Sequence, residues 1–488
     1  MGKKLKIYNT HIEVSPYEYG DSPKIEKMLS RWDDATFKYE PVAYFIHNST
    51  LFLPRGISVE LLAREFDTIP INSRKCDDYG FLEKHYDVLF KPKSLMQVNG
   101  IKFLTSKDEY AYSIRYSQYG LNLDTGDGKT FTTVYSILEL NYRAIIIVNQ
   151  NRIKKQWIDT FKNMTNFPES KLLDISGSKD IEDILDDKHG DKEIFLTTHQ
   201  TIESFARKYD WDDVSKFFNK IRVAIKVVDE SHKFFKNTLM IDYFSNTLKS
   251  FYLTATFDRS DRRESQIYKK AFQSLVRFGE ETINYDEKRR HINFVVVYFR
   301  SKPLYGIPPI VRTGYGFSAY KYIDYELSEE NRSLMKVLNY ILDNISKMEG
   351  RTLITSPKIE SAEIISDYIR EEKHIPCWTI HSHNDEEDNN IAKKSGKIIS
   401  STIKSIGVGT DIIGLRNFIE LEPMGSKVVA SQAIGRLREF KSNNDEDYDT
   451  YFWYPVDLTI KDSVNFLERI LPMAKKKCKK IIIMKVEV

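Results

Sequence analysis

Cysteine is scarce in this chain. Only Cys76, Cys377 and Cys478 occur among 488 residues, far apart and without a C-x-x-C pair. That argues against a disulfide framework and a cysteine-based zinc site, and it suits a reducing cytoplasm. Long apolar runs are missing too. The runs at 144–148 and 481–484 are among the longest and fall far short of a membrane span. The N-terminal stretch MGKKLKIYNTHIEV has lysines but no apolar segment of signal-peptide length. The expectation is a protein without a membrane anchor that stays in the cytoplasm where it is made, the host's if the source is viral. Excess charge is absent as well, with 73 Lys and Arg against 70 Asp and Glu. Nucleic-acid binding therefore does not follow from net charge and needs a local basic surface.

What is present reads as a globular α/β protein, with 41% apolar and 29% charged residues and enough length for two or three domains. Residues 1–80 read as a small α+β accessory domain, expected to touch DNA. It has strand-like alternation at 5–14, a short helix from 25–29, paired strands at 41–46 and 49–53 around His47-Asn48, and an amphipathic helix near 58–66. From about residue 90 short apolar strands alternate with helices, at 144–148, 194–197, 223–228 and 251–253. That spacing predicts a parallel sheet covered by helices. The Pro- and Gly-rich stretch 303–316 interrupts the series, which then resumes at 352–355, 377–380, 397–400, 418–421 and 450–454. The division expected is 81–300 for a first, ATP-binding lobe, 301–330 for a connection, and 331–488 for a second lobe with a C-terminal tail.

The strongest local signal is Leu123-Asp124-Thr125-Gly126-Asp127-Gly128-Lys129-Thr130. It fits G-x-x-x-x-G-K-[ST] except that Leu123 stands where the first glycine would be. Gly126 and Gly128 let the backbone fold tightly, so that successive N–H groups, Asp127 among them, can face phosphate oxygens. Lys129 places a charge on the β- and γ-phosphates, and the Thr130 hydroxyl can ligate Mg²⁺. About 100 residues further on, an apolar strand ends in Asp229-Glu230-Ser231-His232. Asp229 can hold Mg²⁺, and Glu230 can orient or deprotonate an attacking water.

With these motifs in order, the chain resembles superfamily 2 helicases, a family in which Leu is tolerated at the position of Leu123. The resemblance implies two tandem RecA-like lobes with a cleft between them, and it extends to further motifs. Leu95-Met96-Gln97 resembles the glutamine motif, in which the Gln97 amide reads adenine. The stretch IIVNQNRIKKQW at 146–157 is similar to the first strand-contacting motif, with Asn149 and Gln150. Leu253-Thr254-Ala255-Thr256 matches the motif that couples nucleotide to nucleic acid through Thr254 and Thr256, and Thr198 joins the same nucleic-acid set. In the second lobe TLITSP at 352–357 supplies Ser356. The segment from Ser401-Thr402 to Gly407-Val408-Gly409-Thr410-Asp411 supplies Thr402 for the strand and Gly409 and Asp411 for nucleotide. Gln432-Ala433-Ile434-Gly435-Arg436-Leu437-Arg438 resembles the Q-x-x-G-R motif, whose arginines stabilise charge on the γ-phosphate.

The second family arginine ordinarily lies four residues after the glycine, whereas Arg438 lies three after Gly435 and Glu439 takes that place. Arg436 is therefore the expected γ-phosphate contact. The catalytic set the resemblance implies is Lys129, Asp229, Glu230, His232, Gln432, Arg436 and Arg438. Thr130 and Asp229 are the expected metal ligands. The DESH form of the acidic motif separates the chain from DEAD-box RNA helicases, and the N-terminal unit and the overall length are similar to those of phage UvsW-type branch-migration helicases. The implied activity is an ATP- and Mg²⁺-dependent DNA helicase acting on branched, forked or duplex DNA, working as a monomer with no obligate protein partner. A duplex translocase without strand separation and an RNA helicase are the alternatives. His381 and His383 (HSH) invite a metal reading, but with no convincing partner ligands nearby they are not read as a metal site. The lysines at 475–477, 479 and 480 read as a solvated helix end.

Overall fold

The computed structural model describes every residue except 1, 34–35, 74–78, 106–116, 124–126, 232–233, 255–261, 279–289, 303–309, 315, 407–411 and 442–446. The chain forms two compact units, Met1–Ile283 and Asn284–Val488.

The first unit opens with a five-stranded sheet in the order Phe45–His47, Thr50–Pro54, His11–Ser15, Lys4–Ile7, Pro70–Asn72. Period-two alternation drives it: Leu5, Ile12, Val14, Leu51 and Leu53 all point to one buried face. The hairpin around His47 closes through Asn48 and Ser49, both with left-handed backbone angles, as a two-residue turn between twisted strands requires. This sheet does not stand apart. Its apolar face belongs to the same core as Ile145, Phe244, Tyr252 and Phe272 further along the unit. The hydroxyl of Thr10 donates to the carbonyls of Asp242 and Ser245 at 2.9 and 2.8 Å. Gly56 abuts the Ala271 carbonyl so closely that a Cβ would sit 2.4 Å from that oxygen.

The rest of the unit carries a seven-stranded sheet, all parallel, in the order Leu172–Asp174, Ile194–Thr198, Ala144–Val148, Ile225–Val228, Lys249–Thr254, Gln118–Asn122, Val276–Phe278. Its central strands are buried along their whole length, as a parallel sheet covered by helices requires: every residue of Ala144–Val148, Ile194–Thr198 and Ile225–Val228 is buried. The covering helices bury one stripe each. Trp211–Ile221, capped by the Asp210 carboxylate on the Trp211 N–H, sinks Val214, Phe217, Phe218 and Ile221.

The second unit holds another all-parallel, seven-stranded sheet, ordered Cys377–Ile380, Ile398–Thr402, Arg351–Ser356, Leu415–Glu420, Thr450–Asp457, Ile292–Phe299, Lys480–Lys485. The two sheets give the tandem RecA-like architecture the motifs implied. The division expected at residue 300 differs from what is found. Ile292–Phe299 lies inside the second sheet between Thr450–Asp457 and Lys480–Lys485. An eight-residue apolar strand fits the middle of either sheet, so its pattern alone could not say which lobe owned it. Within 301–330, the helix Ala319–Leu327 buries Tyr322 and Ile323 in the second unit. The expected C-terminal tail includes an edge strand, preceded by the helix Lys461–Lys477 that ends in Lys475, Lys476 and Lys477. Lys479 is engaged by Asp449 at 2.8 Å. Among the described residues no helix is long and apolar enough to cross a membrane.

Candidate active site

The phosphate-loop motif follows the strand Gln118–Asn122 and runs into the helix Lys129–Leu140. Leu123, the position of the missing glycine, is fully buried. Gly128 caps the helix with φ +87, and a Cβ there would lie 2.3 Å from the Gln97 amide nitrogen. Only glycine satisfies both conditions. Gln97, buried on the helix Leu95–Thr105, donates through Nε2 to the Asp127 carbonyl at 3.1 Å and accepts from the Lys93 N–H at 2.8 Å. The residue expected to read adenine thus also braces the phosphate loop. Lys129 Nζ donates to the Leu123 carbonyl at 2.9 Å, and Thr130 is half-buried in the first helical turn. The first-turn N–H groups of such a helix lack intrahelical acceptors and favour an anion. Thr125 and Gly126 lie outside the described residues.

The acidic pair follows Ile225–Val228. Asp229 Oδ1 accepts from the Glu230 N–H at 2.9 Å and Oδ2 from the Trp157 indole N–H at 3.1 Å. Burial pushes the Asp229 carboxyl up to about 6, helped by the neighbouring Glu230 charge and opposed by Lys129 and these two hydrogen bonds. Glu230 is buried and holds a left-handed φ of +51, a conformation that costs about 1 kcal/mol or more for a residue with a Cβ. The strand Lys249–Thr254 lies between the other two. It pairs Tyr252 with Val228 on one side, and Leu253 and Thr254 with Leu121 and Asn122 on the other. Three parallel strand ends therefore bring Lys129 close enough for its charge to act on Asp229. The Ser231 N–H donates to the Leu253 carbonyl at 3.1 Å, and Thr254 is fully buried. His232 and Thr256 lie outside the described residues. The Thr130 hydroxyl and the Asp229 carboxylate are hard oxygen donors of the kind Mg²⁺ takes, and a cation beside Asp229 would offset the burial that raises its pKa.

Asn149 and Gln150 sit at the carboxyl end of Ala144–Val148, half-buried and exposed respectively, at the start of the helix Asn151–Met164. Lys154 of that helix turns inward. It is buried, ion-paired with Asp174 and hydrogen-bonded to the Ile175 carbonyl at 3.2 Å. Thr198 is buried and uses its hydroxyl to cap the helix His199–Lys208, accepting from the Thr201 N–H at 3.1 Å.

In the second unit Ser356 and Thr402 pair across neighbouring strands. Ser356 accepts from the Ser361 hydroxyl at 2.9 Å, and Thr402 accepts from the Ser405 N–H at 2.9 Å, so both hydroxyls stabilise the turns that follow their strands. Gln432 is half-buried on the helix Lys427–Ile434, which ends at Gly435; half-buried Arg436 and Arg438 follow on either side of buried Leu437. Glu420, at the end of Leu415–Glu420, is fully buried, with its carboxylate accepting from the Thr355 hydroxyl at 2.9 Å and the Glu422 N–H at 3.0 Å. Burial, then the Glu422 charge, raises Glu420 well above the usual carboxylate range, while the Arg436 charge pulls it down. Gly409 and Asp411 lie outside the described residues. Sequence reasoning gave no role to Trp157 or Glu420. Trp157 is the last residue of the 146–157 motif, a position that signals its place but not its bond to Asp229.

No curated protein matches the chain by sequence. Residues 100–259 match the family described as type III restriction enzyme, res subunit. Among solved structures, a fragment assigned to the HsdR subunit of a type I restriction enzyme from Vibrio vulnificus is 13% identical with TM-score 0.54, covering 80% of this chain and 68% of that one. Saccharomyces cerevisiae Dbp5 bound to RNA and ADP BeF3 is 14% identical with TM-score 0.52, covering 81% of this chain and 90% of that one. Phage T4 UvsW is 16% identical over 100% of both chains with TM-score 0.38, which leaves the fold assignment to the other two. The chain has the fold of these solved structures, two tandem RecA-like lobes, and its ordered motifs resemble those of superfamily 2 helicases.

Proposed function

We propose that this protein is an ATP-driven DNA helicase or translocase that remodels branched or forked DNA. The observation that carries the reading is the convergence of Lys129, Asp229 and Glu230 at the carboxyl ends of neighbouring parallel strands, with Lys129 acting electrostatically on Asp229. A lysine behind a Gly-capped helix and a buried acid pair at this spacing are the parts phosphoryl transfer to water needs.

Lys129 and the first-turn N–H groups hold the phosphates of ATP, while Gln97 keeps the loop in shape. Thr130 and Asp229 are the residues that would hold Mg²⁺, which would supply neutralising charge to the phosphate oxygens. Glu230, fixed by its left-handed backbone, accepts the proton of the attacking water. Arg436, with Arg438 beside it, is assigned to stabilising the charge that develops on the γ-phosphate. Asn149, Gln150, Thr254, Ser356 and Thr402 are assigned to the nucleic-acid strand, through backbone contacts with little base specificity. The Thr198 hydroxyl caps its helix and those of Ser356 and Thr402 hold the turns after their strands, so the loops that follow are assigned as the contacting elements.

DNA is favoured over RNA by the DESH form of the acidic motif and by the likeness of residues 100–259 to a restriction-enzyme subunit. The test is steady-state ATP turnover with single strand, duplex, fork, four-way junction and RNA, read beside strand displacement. Stimulation strongest on fork or junction supports the proposal. Stimulation by RNA alone overturns the DNA assignment, turnover on duplex without displacement assigns a translocase, and no turnover on any substrate removes the motor reading.

A further inference from the structure

Among the described residues, two sets of imidazole and carboxylate groups converge that include none of the nucleotide residues: Glu363, His381 and His383, and His47, Asp210 and Asp212. In the second set both acids are exposed and the His47 ring lies against Phe45 and Phe244, as a surface ion pair would. The first set is assembled from two elements that the sequence keeps apart. Glu363 comes from the helix Ile359–Glu372, and both histidines follow the strand Cys377–Ile380.

We propose that Glu363, His381 and His383 form a binding site for a divalent transition-metal ion of the zinc class. Their donor atoms lie within 4.8 Å of one another, and Nε2 of His381 is 3.3 Å from Oε1 of Glu363. Two ligands on a tetrahedral zinc ion, each bonded at about 2.1 Å, stand about 3.4 Å apart. Two imidazoles and one carboxylate form a donor set suited to zinc rather than to magnesium.

The central ligand is held before any ion arrives. His381 is buried, its N–H donates to Asn389 Oδ1 at 3.2 Å, and the Asn389 amide donates back to its carbonyl at 3.0 Å. Asn384 ties the same loop to the Thr379 carbonyl at 3.0 Å. Such backbone fixation is what a preorganised ligand needs. Nδ1 of His381 has no hydrogen-bond partner among the described residues, so hydrogen bonding does not fix which ring nitrogen carries the proton. With the proton on Nδ1, the Nε2 lone pair faces a carboxylate, an arrangement that a cation between them stabilises. His383 is exposed and Glu363 half-buried, so both can swing to close the shell, and water can fill the remaining position.

The position gives the site a consequence. Ile380 is in register with Ser401, and Thr402 with Ser356, so His381 follows directly at the same sheet edge. A bound ion would tie the helix after Ser356 to the loop beside Thr402. The site itself stands whether or not those hydroxyl-bearing turns touch nucleic acid.

The test uses the full chain, stripped with a chelator and titrated with Co²⁺ under visible absorption, followed by displacement with Zn²⁺. One equivalent of Co²⁺ with d–d bands is expected. His383→Ala and Glu363→Gln should each weaken binding by at least about 10-fold, since even outer-shell changes cost that much. His47→Ala should titrate like the parent, and far-UV circular dichroism should show every variant folded. A folded parent chain that binds neither ion overturns the proposal, as does wild-type affinity in either ligand variant.

Discussion

The indole N–H of Trp157 donates to Oδ2 of Asp229 at 3.1 Å, which ties the helix Asn151–Met164 to the acid at the end of Ile225–Val228. Trp157 is buried, so the bond works in a low-dielectric setting and opposes the rise that burial imposes on Asp229. If Asn149 and Gln150 contact nucleic acid, this bond links that contact to the nucleotide site. Trp157→Phe keeps most of the apolar volume and removes the donor. The expected stability loss in urea melts is about 2 kcal/mol, from a hydrogen bond to a charged group plus some lost packing. The half-saturating Mg²⁺ concentration for ATP turnover should change, and the ratio of stimulated to basal turnover should fall. An unchanged Mg²⁺ profile in a folded variant would remove this role for the indole.

Lys129 and Glu230 separate binding from chemistry. Lys129→Ala should lower ATP turnover by about 100-fold or more, the scale on which a preorganised charge stabilises a transition state. Circular dichroism should be unchanged, because Lys129 is half-buried and its Nζ donates to the Leu123 carbonyl, a single hydrogen bond among the described residues. Glu230→Gln should bind ATP and fail to cleave it. Rapid phosphate release in a single-turnover experiment on that variant would assign the base elsewhere.

Much of this site was legible because its chemistry is local in sequence. Gly126-Asp127-Gly128-Lys129-Thr130 and Asp229-Glu230 are contiguous, and the apolar runs around them could only be strands of a covered sheet. What stayed hidden depends on contacts between distant residues. Glu363 and His381 are brought together by strand order, and Trp157 meets Asp229 only through helix packing. The strand Ile292–Phe299 carries no mark of the lobe it joins, since its apolar run suits either sheet. The N-terminal sheet alternates as a free-standing domain would, and the apolar core it shares with Phe244, Tyr252 and Phe272, with the Thr10 and Gly56 contacts, makes it part of the first unit.

His199 gives the first unit a pH dependence. It is buried against the Val148 carbonyl at 3.2 Å and the Phe234 ring, and burial pulls its pKa from 6.5 down to about 4. The unfolded chain therefore binds a proton between these values that the folded one refuses, and stability falls as pH drops below 6.5 towards 4. At about pH 5 the loss relative to neutral pH amounts to about 2 kcal/mol from this residue. Urea melts at the two pH values should show it, and His199→Gln, which cannot titrate, should flatten the difference. An equal pH dependence in that variant would place the titrating group elsewhere.

Gly128 carries two constraints that can be pulled apart. Its φ of +87 strains any residue with a Cβ, and the Gln97 amide nitrogen would lie 2.3 Å from that atom. Gly128→Ala should therefore destabilise the loop by about 1–3 kcal/mol and abolish ATP turnover. Removing the obstructing amide with Gln97→Ala in the same chain relieves the clash but not the dihedral. The double variant should regain part of the lost stability. It should not regain turnover, because the loop loses its brace on the Asp127 carbonyl while the strain at residue 128 persists. Nucleotide binding followed with a fluorescent ADP separates the two contributions. Binding in the double variant equal to that of Gln97→Ala alone would mean that the clash alone mattered, whereas weaker binding than in Gln97→Ala alone would mean that the left-handed turn at Gly128 shapes the phosphate cradle.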